Sequence, residues 1–145
     1  MKSVIFDIDG TLADTSKRVH HVIKYPKNWD AFHAESVNDD AHAHIVELAQ
    51  MYQRRNYGIL LCSGRDEAYR DLTIRWVVNA GVIFNRLYMR PAGDRRDDSI
   101  IKIELLAKMR VDGFEPFIAF DDRDRVVAAW REAGIPCLQV APGNF

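Results

Sequence analysis

A chain of 145 residues, 48% hydrophobic, with 20 Lys and Arg against 21 Asp and Glu, has the length and balance of one domain, 1–145, with a substantial core. A formal net charge of −1 argues against a strongly basic nucleic-acid binder, and no apolar run approaches membrane-spanning length. The opening residues lack a secretion leader's basic and apolar regions, and Cys62 and Cys137 stand at no metal-like spacing, so reduced core thiols in a cytoplasmic protein are expected.

The first predicted element is an apolar strand over Ser3–Phe6, which runs directly into Asp7-Ile8-Asp9-Gly10-Thr11. A glycine after two closely spaced carboxylates lets the backbone turn sharply at the strand end. In a parallel sheet, that geometry holds two anionic side chains in a crevice, where they are costly unless a cation such as Mg2+ neutralises them. From Asp14 to Asp40 the periodicity breaks down, interrupted by Pro26, Asn28, Trp29 and Phe32. This span is too short for a full cap domain and is expected to form a small flap (14–40), leaving a site open enough for the end of a polymer. Trp29 and Phe32 are expected to anchor that flap to the core rather than stack on a base. His20, His21 and His33 are expected to be solvated or loop histidines.

A helix over Ala41–Arg55 follows. His42 and His44, two apart on it, face different directions and make a poor metal pair. The next strand, Gly58–Cys62, runs into Ser63-Gly64-Arg65, where a hydroxyl and backbone N–H groups at a strand end can hold a phosphate oxygen. A helix over Glu67–Asn79 and a strand over Arg86–Met89 come next. In the loop beyond, Arg90, Arg95 and Arg96 are nearly cancelled by Asp94, Asp97 and Asp98. The helix Ser99–Arg110 carries Lys102, a cation able to offset phosphate and carboxylate charge. A strand over Phe117–Phe120 ends in Asp121-Asp122, followed by a helix over Arg125–Ala133 and a strand over Cys137–Val140. Gly81, Gly113 and Gly134 punctuate the last three helices, and Trp76 and Trp130 sit among apolar helix neighbours as core. Strands alternating with amphipathic helices predict an α/β fold with a parallel sheet. Anions, a hydroxyl and a cation at the strand and helix ends suit metal-assisted phosphoryl transfer.

The constellation Asp7-x-Asp9-Gly10-Thr11, Ser63, Lys102, Asp121-Asp122 resembles the haloacid dehalogenase (HAD) superfamily of phosphohydrolases over nearly the whole chain. That resemblance implies a Rossmann-like three-layer fold, Asp7 as nucleophile, Asp9 as general acid and base, Ser63 on phosphate, and Lys102 as the family's lysine. It also implies Mg2+ held by Asp7, Asp121 and Asp122, with the Asp9 backbone carbonyl as a further ligand. A narrower resemblance, carried by Ser63-Gly64-Arg65-Asp66-Glu67, Met89 to Asp98, and Phe120 to Ala141, is to the 3′-phosphatase domain of bacteriophage polynucleotide kinase–phosphatase. It implies roles for Arg18, Arg65 and Asp98, with Thr11 and Gly64 lining the phosphate site. The implied substrate is a nucleic-acid or nucleotide 3′-phosphate end. The alternatives are a free nucleotide or other small phosphorylated metabolite, and a non-catalytic phosphate-binding module. The chain has no G-x-x-x-x-G-K-[ST] loop and is expected to lack 5′-kinase activity.

Overall fold

Side chains alternating across buried strands build this fold, which a computed structural model describes over residues 1–145. Val4 and Phe6 join one apolar cluster, while Ile5 between them joins another; Ile59 and Leu61 divide from Leu60 and Cys62 in the same way. A strand apolar on both faces must be covered on both, and helices supply the covers. The elements in chain order are β1 (Lys2–Phe6), β2 (Ala13–Asp14), α1 (His20–Ile23), α2 (Trp29–Ala34), β3 (Asp40–Ala41), α3 (Ala43–Arg54), β4 (Gly58–Asp66), α4 (Arg70–Asn79), β5 (Arg86–Arg90), α5 (Asp98–Val111), β6 (Glu115–Asp121), α6 (Asp124–Glu132) and β7 (Cys137–Gln139). Helices α3 and α4 bury Ile45, Val46, Trp76 and Val77 on one face of the sheet. Helices α5 and α6 bury Ile101, Leu105, Val127 and Trp130 on the other. The result is the expected three-layer α/β sandwich.

The sheet runs β5-β4-β1-β6-β7, with every pairing parallel. From the central β1 the chain winds outward through β4 and β5, then returns to the other side of β1 for β6 and β7. The winding reverses beside β1, so the carboxyl ends of β1, β4 and β6 open onto a crevice. Each predicted strand and main helix is present, with ends displaced by a few residues at most. One difference matters: β4 continues through Ser63-Gly64-Arg65 to Asp66, because Asp66 pairs with Arg90 of β5 across an irregularity that begins at Ser63. That irregularity turns the serine and arginine toward the crevice rather than along the ladder.

The 14–40 segment, for which the sequence predicts a small flap, lies outside the five-stranded sheet. It leaves and rejoins the body through a two-residue antiparallel ladder, β2 with β3, pairing Ala13 with Ala41 and Asp14 with Asp40. Between them lie α1, α2 and a 3-10 turn over Glu35–Asn38. Asn28 caps α2 by accepting a hydrogen bond from the Ala31 N–H at 3.0 Å.

Candidate active site

The Asp7 side chain lies just beyond β1, only 5% exposed, with both carboxylate oxygens engaged. Lys102 Nζ donates to its Oδ1 at 2.8 Å, and Thr11 Oγ1 donates to its Oδ2 at 3.0 Å. The same ammonium donates to Asp121 Oδ2 at 2.8 Å, so Lys102 bridges the acids that end β1 and β6. Lys102 is 3% exposed, buried as no surface lysine would be. Burial disfavours its charged form, but Asp121 and Asp7 outweigh that cost and hold it protonated, well above the usual lysine range. Asp121 is pinned further: its Oδ2 accepts from the Trp130 indole at 3.2 Å, and its Oδ1 accepts from the Asp122 N–H at 2.9 Å.

Asp7, Asp121 and Asp122 place ligand oxygens within 4.8 Å of one another. One ammonium among three buried carboxylates leaves an excess of negative charge. Burial first, and then the neighbouring Asp121, push both Asp7 and Asp122 above the ordinary carboxylate range. The Asp9 main-chain carbonyl accepts no hydrogen bond from the chain. Hard oxygen donors with uncompensated charge fit Mg2+. Gly10 is required for this packing. Its φ is +84°, and a Cβ there would lie 2.1 Å from Asp122 Oδ2. The chain end buttresses the same loop: Gly143 lies so close that a Cβ would fall 1.8 Å from the Asp122 carbonyl oxygen, and its own carbonyl accepts from Asp124 N–H at 2.9 Å.

Asp9 faces a different set of partners. Arg65 donates from Nη2 at 2.6 Å and from Nε at 3.1 Å, while Arg18 donates from Nη2 at 2.5 Å. Burial alone would raise the Asp9 pKa, but the two guanidiniums outweigh it and hold the group ionised well below the usual carboxylate range. Arg18 is fully buried despite lying in the flap. Its Nε and Nη2 pair with Asp39, its Nη1 donates to the Phe32 carbonyl at 3.0 Å, and its guanidinium lies 4.2 Å from the Phe32 ring centroid. Arg65 is held from behind by Thr73 Oγ1 at 3.0 Å. Ser63 is buried and its hydroxyl accepts the Arg65 N–H at 3.0 Å, which bends the turn toward the crevice.

Asp98 stands behind the Ser63 turn rather than on Asp7 or Asp9. It accepts hydrogen bonds from Arg90 and, at 2.9 Å, from Arg123, and it packs so closely on Gly64 that a Cβ there would sit 2.6 Å from its Oδ1. Gly64 in turn accepts from Arg90 Nε at 2.7 Å. In the loop beyond β5, Arg96 is self-paired with Asp94 and Glu104, as expected of a solvated loop.

The sequence profile of the polynucleotide kinase PNKP phosphatase domain matches residues 1–145. The chain belongs to that family. It is 32% identical to a chain of the Pnkp1/Rnl/Hen1 complex, covering 99% of this chain and 47% of that one with a TM-score of 0.83. A protein of Autographa californica nuclear polyhedrosis virus, named as a bifunctional polynucleotide kinase/RNA ligase, is 25% identical over 139 residues, 94% of this chain and 19% of the viral protein. The class C acid phosphatase of Bacillus anthracis shares the fold at 14% identity and a TM-score of 0.71, over 99% of this chain and 67% of that one. The chain thus spans less than half the Pnkp1-complex chain and about a fifth of the viral relative. This PNKP-type domain is a HAD-fold phosphatase, a phosphoric monoester hydrolase.

Sequence reasoning missed several residues that shape the PNKP-type site. Asp39 lies 21 residues from the Arg18 it anchors, in a segment without periodicity, so no spacing linked them. Trp130 reads as core, and its position gives no sign that its N–H meets Asp121. The expectation that both flap aromatics act as anchors holds for Phe32, which is buried, and fails for Trp29, which is 51% exposed. The short α2 has one inward face, and Phe32 fills it.

His33 also departs from expectation. It belongs to α2, its ring lies 4.8 Å from that of Tyr69, and its Nδ1 is buried without a partner. Burial, with Arg65 and Arg18 adding to it, pushes its pKa down to about 4. The folded imidazole therefore stays neutral while an unfolded one takes up a proton near pH 6.5. The unfolded state gains the proton first as pH falls, so stability drops between about pH 6.5 and 4, by on the order of 2–3 kcal/mol. Urea midpoints at pH 7.0, 5.5 and 4.5 should fall steadily for the natural chain, with a visibly flatter trend for His33→Gln.

Proposed function

We propose that this PNKP-type domain removes the phosphate from 3′ ends of nucleic acid through a phosphoryl intermediate on Asp7, with Mg2+ as cofactor. One observation carries the reading. A carboxylate at the central strand end is fixed by Lys102 and Thr11 within one acidic cluster, while a second carboxylate two residues on is held apart by Arg65 and Arg18. A nucleophile and a proton-transfer group must differ in this way, each in its own electrostatic setting.

In this mechanism an Asp7 oxygen attacks phosphorus as the bond to the 3′ oxygen breaks, and Asp9 delivers a proton to the departing alkoxide. Asp9 then takes a proton from a water that attacks the same phosphorus, freeing Asp7 and inorganic phosphate. With no phosphate present, the two arginines keep Asp9 ionised. An arriving phosphate dianion competes for those guanidiniums and weakens their hold, which lets Asp9 carry the proton it must deliver. Lys102, the Ser63 turn and Arg65 meet the equatorial oxygens where charge accumulates. Mg2+ on Asp7, Asp121 and Asp122 would supply the positive charge that lets a dianion approach a carboxylate nucleophile.

The polynucleotide substrate is supported by the relatives. The viral protein is named for polynucleotide kinase and RNA ligase, and a structure of the Pnkp1/Rnl/Hen1 assembly, whose matching chain is 32% identical, is described as an RNA repair complex. The short 14–40 segment supports it too, because it is too small to form a full cap domain over the site. Phosphate release with Mg2+ should favour a 3′-phosphorylated oligonucleotide over its 5′-phosphorylated counterpart and over a 3′-mononucleotide, and EDTA should abolish it. Equal turnover of the mononucleotide would move the domain to small-metabolite phosphatases.

A further inference from the structure

The flap carries a surface that the chemistry at Asp7 does not use. From Thr15 to Trp29 the exposed cations are Lys17, which pairs with Asp40 at 3.0 Å, and Lys24 and Lys27, with no acidic residue among them, in a protein whose acids outnumber its lysines and arginines. Large apolar side chains stand out into solvent on the same stretch: Ile23 is 64% exposed, Tyr25 86% and Trp29 51%. Lys27 sits between the two aromatic rings, its Nζ 5.4 Å from the Tyr25 centroid and 5.8 Å from that of Trp29. Aromatic faces that could have turned inward are instead displayed beside cations.

This surface is continuous with the catalytic crevice. The Trp29 ring lies nearly parallel to that of His33, 26° apart at 6.0 Å. His33 rests on Tyr69 of the body, whose hydroxyl donates to Asp30 at 2.7 Å, one residue after Trp29. At the other end of α2, Phe32 lies under Arg18, which reaches Asp9. A row of rings therefore leads outward from the proton-transfer carboxylate to the exposed indole.

We infer that Trp29, Tyr25 and Lys27 form a landing surface for the single strand that bears the 3′-phosphate, with bases stacking on the two rings and the ammonium meeting the backbone phosphates. The inference rests on the polynucleotide reading above and assigns that reading its binding residues. Stacking tolerates any base, because every base has a π face, and alternating rings and cations suit a flexible strand better than a folded partner. A protein partner would be served by the apolar residues alone; the lysine between the rings, with the adjoining Asp30 engaged by the Tyr69 hydroxyl, favours a polyanion.

Paired substrates test this: a 3′-phosphorylated oligonucleotide, and the same oligonucleotide with its last three nucleotides abasic. The natural domain should prefer the intact strand by at least about tenfold in kcat/KM, the ratio expected if even one of the two rings holds a base. Trp29→Ala should lower that ratio, Trp29→Ala combined with Tyr25→Ala should bring it close to one, and Trp29→Phe should keep most of it. Lys27→Glu should lower kcat/KM for both strands, with a loss that shrinks at high salt. Independently, oligonucleotide titrated into the Asp7→Asn protein should quench tryptophan fluorescence, because Trp76 and Trp130 are buried and Trp29 is not. Adding Trp29→Phe should remove that quench. Retention of the intact-strand preference by Trp29→Ala would overturn the inference, as would equal turnover of both strands by the natural domain, the result expected if this face docks a protein. Failure to dephosphorylate either strand, with acetyl phosphate still hydrolysed, would instead overturn the polynucleotide reading itself.

Discussion

Asp7→Asn should abolish turnover on every phosphomonoester, by at least on the order of 10⁴-fold, while leaving a folded protein that still binds substrate. The amide keeps the size and the acceptor oxygen of the carboxylate but cannot form the phosphoryl ester on which hydrolysis depends. Loss of a single stabilising donor typically costs only about 100- to 1000-fold, so the size of the defect separates a nucleophile from a supporting group. The variant also removes one of three clustered acids, and one of the two that hold Lys102. Burial and Asp121 already oppose ionisation of Asp7, so in EDTA the variant should melt no lower than the natural chain. Inactivity with undiminished stability is thus the expected pair of results. Rapid acid quenching of the natural domain, followed by intact mass, should reveal one added phosphoryl group that Asp7→Asn never acquires. Substantial hydrolysis by an Asp7→Asn sample whose mass excludes deamidation would remove Asp7 from the nucleophile's role.

The scaffold of this site was largely legible in the sequence, because buried parallel strands are written as short apolar runs and their helices as amphipathic ones. Val4-Ile5-Phe6 and Leu60-Leu61-Cys62 could be placed with their polar successors at the sheet's edge, and the structure puts Asp7 and Ser63 there. What could not be read is how distant side chains settle one another's charge. Lys102 on a mixed helix looks like any surface lysine until two acids, 95 and 19 residues away, are seen closing on it. Arg18 and Asp39 lie in a stretch without periodicity, and the two-residue β2–β3 ladder, with His42 bonded to Leu12 and Thr11 beside it, brings the ends of that stretch together. The flap's two short helices give too few turns for an apolar stripe, so which of Trp29 and Phe32 turns inward is decided by tertiary packing against Arg18.

Lys102→Met should damage the domain twice, and the two effects can be measured apart. The long apolar side chain fills the same channel but leaves Asp7, Asp121 and Asp122 buried with no ammonium among them. Removing one partner of a buried ion pair costs about 3–5 kcal/mol, because the surviving charge stays desolvated. At this chain length that corresponds to a fall in melting temperature of roughly 10–15 °C in EDTA at pH 7.5. The loss should shrink as pH falls. Without the lysine the acids bind protons more readily in the folded state than in the unfolded one, so stability is regained below the range in which they ionise. Mg2+ should restore part of it at neutral pH by replacing the missing positive charge. A second substitution, Asp121→Asn, removes the other partner and should recover stability without recovering catalysis. Activity should fall by about 100- to 1000-fold in Lys102→Met, whatever its stability, because the cation that faces the phosphoryl oxygens is gone. A variant that melts like the natural chain in EDTA at pH 7.5 would mean that the acids are neutralised by some other route, and Lys102 would then be left with a role in catalysis alone.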